Sequence, residues 1–184
     1  QPRKKDLLDL EVKNPMIKVV PQIIAKDILE FRILVNVLRD IGHAEIDINM
    51  GCPFPLQVKK GRGAGLLSNP GNVFEILCEI SNIQDISFSI KMRLGNADKT
   101  QWRAYCDSIN ATPLKHITIH PRIASQQYKG KVDMESFDEI YNSIKHKIVY
   151  NGDITTVSQI VALEEKYPQL EGIMIGRGLL TRPS

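Results

Sequence analysis

Ile46-Asp47-Ile48-Asn49-Met50-Gly51-Cys52-Pro53 is a β-branched run that ends abruptly in Asn, Gly, Cys and Pro. Such a segment reads as a strand that delivers one cysteine to a tight loop. Gly51 and Pro53 make that turn tight and rigid, so the thiol between them is positioned rather than merely tolerated. Asn49 precedes the turn at strand period. Val58, Gly61, Gly63, Ala64, Gly65, Leu66 and Leu67 follow, a glycine-rich return whose pattern is too irregular to predict a helix. A lone cysteine is ordinarily a small buried hydrophobe. The rigid turn weighs against that reading here.

Working outward, the chain alternates strands with helices through six repeats. The predicted strands cover 17–24, 45–49, 86–93, 116–120, 147–150 and 172–175. Asp27 caps a helix with Ile28, Phe31, Leu34, Val35 and Leu38 inward, ended by Gly42. Asn69-Pro70 opens a second, with Val73, Phe74, Leu77 and Ile80 inward. Further helices are predicted over 100–109 (Trp102, Tyr105, Cys106), 135–144 (Phe137, Ile140, Tyr141, Ile144) and 155–167 (Val157, Ile160, Val161, Leu163). A short one begins near Leu179. Alternating units imply an α/β fold with a parallel sheet. The chemically notable residues all fall at strand C-terminal ends: Gln22, Asn49, Cys52, Lys91, Arg93, His120, Arg122, Asn151, Gly152 and Gly176. A (β/α)8 TIM barrel and an open doubly wound sheet both produce that placement. No Gly-x-Gly-x-x-Gly follows a strand, which argues against a dinucleotide unit and favours the barrel.

The 184 residues suffice for one domain with a real core. A hydrophobic content of 42% and a charged content of 24% are ordinary globular values. No apolar run approaches the roughly 20 residues of a membrane span, so no membrane partner is expected. Gln1-Pro2-Arg3-Lys4-Lys5 has no apolar segment behind it and does not read as a signal peptide. Cys52, Cys78 and Cys106 fit neither a disulfide framework nor a metal site, which points to a reducing cytoplasm and no metal. Cys78 and Cys106 read as core, and His43, His116 and His146 as structural. The net charge of +3 and a pI of about 8.7 are mildly basic. Lys59-Lys60-Gly61-Arg62 in the cysteine loop and Lys129-Gly130-Lys131 gather cations suited to a phosphate backbone. The pattern sets no oligomeric state.

Five motifs in order resemble the tRNA-dihydrouridine synthase family. They are the Asp47-to-Pro53 loop with its Gly63-Ala64 and Leu66-Leu67 return, and Ile90-Lys91-Met92-Arg93. Thr118-Ile119-His120-Pro121-Arg122 with Gln127-Tyr128, Tyr150-Asn151-Gly152-Asp153-Ile154 and Met174-Ile175-Gly176-Arg177-Gly178 complete them. The resemblance implies an FMN-dependent (β/α)8 barrel that reduces uridine to 5,6-dihydrouridine in tRNA, with NADPH as reductant. By position it makes Cys52 the general acid. It places Gln22, Lys91, His120, Asn151, Gly152, Asp153, Gly176 and Arg177 at the flavin, and Asn49, Arg93 and Arg122 at the substrate. It also implies that residues 1–184 are a single catalytic barrel domain with about six βα units, lacking the first two units and a C-terminal helical domain. The chain is then a fragment of a longer protein or a shortened natural one.

The residues fit that chemistry. Reducing a uracil 5,6 double bond needs a hydride at C6, which no side chain supplies, and a proton at C5. A thiol, mostly protonated at neutral pH, can give the proton. A lysine near the flavin N1/O2 edge stabilises the anionic reduced ring. The Asn151-Gly152-Asp153 and Gly176-Arg177-Gly178 turns suit a phosphate, as barrel loops after the last strands do. Two other readings compete. One is an FMN barrel acting on a free pyrimidine or another small molecule. The other is a non-catalytic remnant that keeps the motifs without the cofactor.

Overall fold

The computed structural model describes residues 19–178. Strand β1 is Gln22–Ile23, followed by helix α1, Ile28–Asp40, and strand β2, Glu45–Met50. A short helix α2, Pro55–Lys59, and a 3-10 helix, Gly63–Ser68, lead to α3, Pro70–Asn82. Strand β3, Ser87–Gly95, a 3-10 turn Gln101–Tyr105 and α4, Cys106–Ala111, come next. Strand β4, Leu114–Ile123, α5, Met134–Ser143, β5, Ile148–Asn151, α6, Val157–Lys166, and β6, Leu170–Met174, complete the order.

Among the described residues all six strands are parallel and pair in the order β1-β2-β3-β4-β5-β6. A doubly wound sheet reverses its order partway; this one never does. Right-handed crossovers that always advance to the next strand put every helix on one face. The burial pattern agrees. Ile46, Ile48 and Met50 of β2, Phe88, Ile90 and Met92 of β3, and Ile117 and Ile119 of β4 are buried in the apolar core. They meet Phe31, Val35, Leu38, Val73, Ile76, Leu77, Ile80, Phe137 and Ile140 from the helices. The alternate positions are polar: Asp47 and Asn49, Ser89, Lys91 and Arg93, His116, Thr118, His120 and Arg122. A sheet with helices on one face and polar residues on the other is the wall of a (β/α)8 barrel, its inner face given to chemistry.

Local signals explain the element ends. The Asp27 side chain accepts from the Glu30 backbone N–H and caps α1, while Asn69 does the same for α3 with Pro70 behind it. Gly42, at φ +91, turns the chain after α1. Pro121 lies within the central strand β4, where a lost N–H would be costly, but at a register shift between the Arg93–His120 and Gly95–Ile123 pairs.

Several expectations are corrected. The glycine-rich return is helical, because Gly63 and Gly65 let a 3-10 turn pack against Cys52 and Val58. Strand β1 is only two residues long, and positions 17–18, like the helix expected near Leu179, lie outside the described residues. Residues 100–109 split into a 3-10 turn and a short helix. In α3 it is Ile76 that is buried, while Phe74 is 40% exposed and Cys78 is also exposed. In α6 Val157 and Val161 face outward, and only Ile160 and Leu163 pack on the core.

Candidate active site

The C-terminal strand ends open into one cleft of about 780 Å³. Of the residues expected at the site, Gln22, Asn49, Cys52, Lys91, Arg93, His120, Asn151, Gly152, Asp153, Gly176 and Arg177 all line it. Arg122 does not. It is 1% exposed beneath the cleft, where its guanidinium holds the Asp153 carboxylate through both nitrogens and also donates to the Gly130 carbonyl. It binds β4 to the turn after β5.

The cysteine loop is built from backbone constraints. Asn49 Oδ1 accepts from the N–H groups of Gly51 at 3.0 Å and Cys52 at 2.8 Å, so the strand end folds directly into the turn. Ala64 N–H donates to the Cys52 carbonyl at 3.1 Å. The half-buried thiol is thus held between its own turn and the 3-10 helix. Asn49 Nδ2 donates to Gln22 Oε1 at 2.7 Å, and Gln22 Nε2 donates to Asp47 Oδ2 at 2.6 Å.

The wall of β3 and β4 is cationic. Lys91 Nζ donates to Asn151 Oδ1 at 2.8 Å, and Asn151 Nδ2 in turn donates to the Met174 carbonyl at 2.8 Å. Burial first, then the neighbouring Arg93, pulls the Lys91 ammonium down to about 8. Arg93 is buried, donates to the Ile123 carbonyl at 3.0 Å, and leaves its Nε without a partner. Burial, with Arg93, Lys91 and Arg122 adding repulsion, holds His120 down to about 3, so the ring is neutral at physiological pH. Its Nε2 lies 3.3 Å from Arg122 Nη1. A guanidinium only donates, so Nε2 accepts and the proton sits on Nδ1.

The sequence assigns Tyr128 no role of its own, although the residue belongs to the His120 motif. The ring is 52% exposed and lies at the cleft mouth between two guanidiniums, 4.4 Å from Arg177 and 5.4 Å from Arg93. Its membership of a motif was the available signal. Asp47, half-buried below Gln22, was likewise passed over. Arg62 was expected to face a phosphate, but its guanidinium is paired with Glu30, at 3.0 Å through Nε and 2.5 Å through Nη2. Lys59 and Lys60 remain exposed.

These features fit a flat group rich in acceptors with an anionic tail. Lys91 has hydrogens beyond the one given to Asn151, and the orphaned Arg93 Nε is a buried donor. A Cβ on Gly176 would meet nothing within 4 Å, so the cleft is open at that turn. Among the described residues, no group of three or more His, Cys, Asp or Glu is placed to hold a metal ion.

Residues 1–184 match the family model described as dihydrouridine synthase (Dus). The chain is 32% identical over 160 residues to a probable tRNA-dihydrouridine synthase of Staphylococcus epidermidis, covering 84% of this chain and 48% of that protein. It is 34% identical over 140 residues to a probable tRNA-dihydrouridine synthase of Helicobacter pylori, covering 75% and 42%. It is 31% identical over 163 residues to tRNA-dihydrouridine synthase B of Proteus vulgaris, covering 88% and 50%. The chain spans about half the length of the curated relatives it matches. It belongs to the dihydrouridine synthase family.

Proposed function

We propose that this member of the dihydrouridine synthase family reduces uridine to 5,6-dihydrouridine in tRNA, with FMN in the cleft and Cys52 as proton donor. The observation that carries the reading is the Cys52 thiol, fixed at the edge of a cleft that Lys91, Arg93 and neutral His120 also line. Lys91 and Gln22 would hold the isoalloxazine ring, and the Gly152 and Gly176 turns with Arg177 its phosphate. FMN held there would supply the hydride for C6 of the uracil, and NADPH would be the source of its electrons.

The residues of this chain do the rest. Lys91 holds positive charge beside the ring. Cys52 gives its proton to C5 as the double bond is lost. His120 is a poor acid at neutral pH because its ring is already neutral. Asn49, Arg93 and Tyr128 line the space for the base, and exposed Lys59 and Lys60 meet the phosphate backbone. Two further βα units close the barrel in this reading, and the protein works in the cytoplasm. No described helix is long and apolar enough to cross a membrane.

The test is direct. The purified full-length protein is expected to be yellow, with flavin absorbance, and to form dihydrouridine in tRNA but not from free uridine when given NADPH. A colourless protein that cannot be loaded with FMN overturns the cofactor. Reduction of free uridine as fast as tRNA overturns the substrate.

A further inference from the structure

The inner face carries a hydrogen-bonded line that runs from the cysteine loop through Asn49 and Gln22 to Asp47, a residue the proposed chemistry gives no role. Cys52 N–H and Gly51 N–H donate to Asn49 Oδ1, Asn49 Nδ2 donates to Gln22 Oε1, and Gln22 Nε2 donates to Asp47 Oδ2. Ser89 Oγ donates to the other Asp47 oxygen at 2.6 Å. Every bond in the line points toward the carboxylate. Strand register makes this possible, since Gln22 is paired with Asp47 across β1 and β2, and Asp47 with Ser89 across β2 and β3.

The polarity is set at both ends. A backbone N–H can only donate, and an ionised carboxylate can only accept. The two amides between them, each free to flip in isolation, therefore have one satisfactory orientation. Turning Gln22 over would put its NH₂ against that of Asn49 and its oxygen against Asp47. Turning Asn49 over would put its NH₂ against the N–H groups of Gly51 and Cys52. Both inversions leave donors and acceptors unpaired.

We propose that Asp47 is a positioning residue for the cysteine loop, acting through Gln22 and Asn49 to keep the Asn49 carbonyl under the Gly51 and Cys52 amides. Asp47 itself lies earlier on β2, the strand that runs into the cysteine turn, and need not touch substrate. The proposal rests on the functional reading only for what the thiol does; the positioning is a property of the protein alone.

Amide hydrogen exchange in the full-length protein, without cofactor or tRNA, tests it. Asp47→Leu is expected to lower protection at Gly51 and Cys52 about tenfold, the scale of one lost hydrogen bond. Gln22→Leu, at an exposed side chain, is expected to give the same loss, and the double variant no more than either alone. Asp47→Asn keeps an oxygen for Gln22 while Ser89 turns to accept, so its protection is expected to stay within about threefold of wild type. The Ile48 amide in the β2 ladder is expected not to change in any variant. Unchanged protection at Cys52 in Gln22→Leu overturns the proposal, even where Asp47→Leu fails to fold. So do additive losses in the double variant, loss spread evenly along β2, or an Asp47→Asn variant that behaves like Asp47→Leu. Absence of dihydrouridine synthesis would sink the functional reading and leave this measurement standing.

Discussion

Gly63 leaves room for Cys52: a Cβ built on the glycine would lie 2.7 Å from the Cys52 Cβ and 2.8 Å from its carbonyl oxygen. The glycine also sits at φ +58, in the left-handed region. Two demands therefore meet at one residue, and both concern where the thiol stands. Gly63→Ala is expected to lower the urea unfolding midpoint by the equivalent of about 1–3 kcal/mol, the range for a strained backbone with a new contact too close. It is also expected to slow the proposed reduction by moving Cys52. A variant with wild-type stability would mean that the loop shifts freely, and the thiol would not be held as described.

Cys52→Ala tests the chemistry without disturbing that packing. The smaller side chain fits beside Gly63, so flavin absorbance and melting temperature are expected to stay near wild type. The rate of uridine reduction in tRNA is expected to fall by about 10²-fold or more, the usual loss for a general acid. Retention of the wild-type rate would move the proton transfer to another group.

Lys91 carries a pH signature. Burial, then Arg93, lowers its pKa from the usual 10.5 to about 8, so the folded protein releases this proton before the unfolded chain does. Below about pH 8 both states are protonated and the burial penalty is full. Between about 8 and 10.5 the unfolded chain binds more protons, so this residue makes stability rise with pH. Cofactor-free wild type is expected to gain stability over that window relative to Lys91→Met. In the loaded protein, Lys91→Met is expected to lower the flavin midpoint potential. An unchanged potential would remove Lys91 from the ring.

Asp153 gives the opposite sign. The hydrogen bond from Arg122, its attraction and that of Arg177 hold the carboxyl below its usual 3.8. The stability it contributes is full above that value and is lost as pH falls through the depressed one. Asp153→Asn leaves Arg122 buried without its counterion, yet Asp153 is 39% exposed and solvent screens part of the loss. A loss of about 1–3 kcal/mol at pH 7 is expected, with a flatter acid limb in chemical denaturation. An acid limb identical to wild type would show the pair to be neutral for stability.

The sequence shows what is local. Asp27 and Asn69 announce their helices because a cap acts three residues away, and strand alternation announces the polar inner face because its period is two. The cleft residues were legible through their motifs. What escaped depends on distant partners. Arg62 looked like a free cation until Glu30, 32 residues earlier, came beside it. Asp47 looked like an ordinary strand residue because Gln22 is 25 positions away. Helical period alone put Phe74 inward where Ile76 goes, since the arc that meets a neighbour is chosen by the packing angle, not by the period. Arg122 shares strand parity with His120, and parity says nothing of depth below the rim.

The unbroken strand order also bears on how the molecule is assembled. From Gln22 to Met174 each strand pairs only with the strands made immediately before and after it. Every new unit emerging from the ribosome finds its docking edge already in place, and none waits for a segment not yet synthesised. The side-chain and backbone hydrogen bonds that hold the cysteine loop come from Gln22 to Ala64, whereas the Gly176-Arg177 turn stands near the end of the cleft residues in chain order. Within this stretch, the residues that line the two ends of the cleft are brought together only when the final strand has docked.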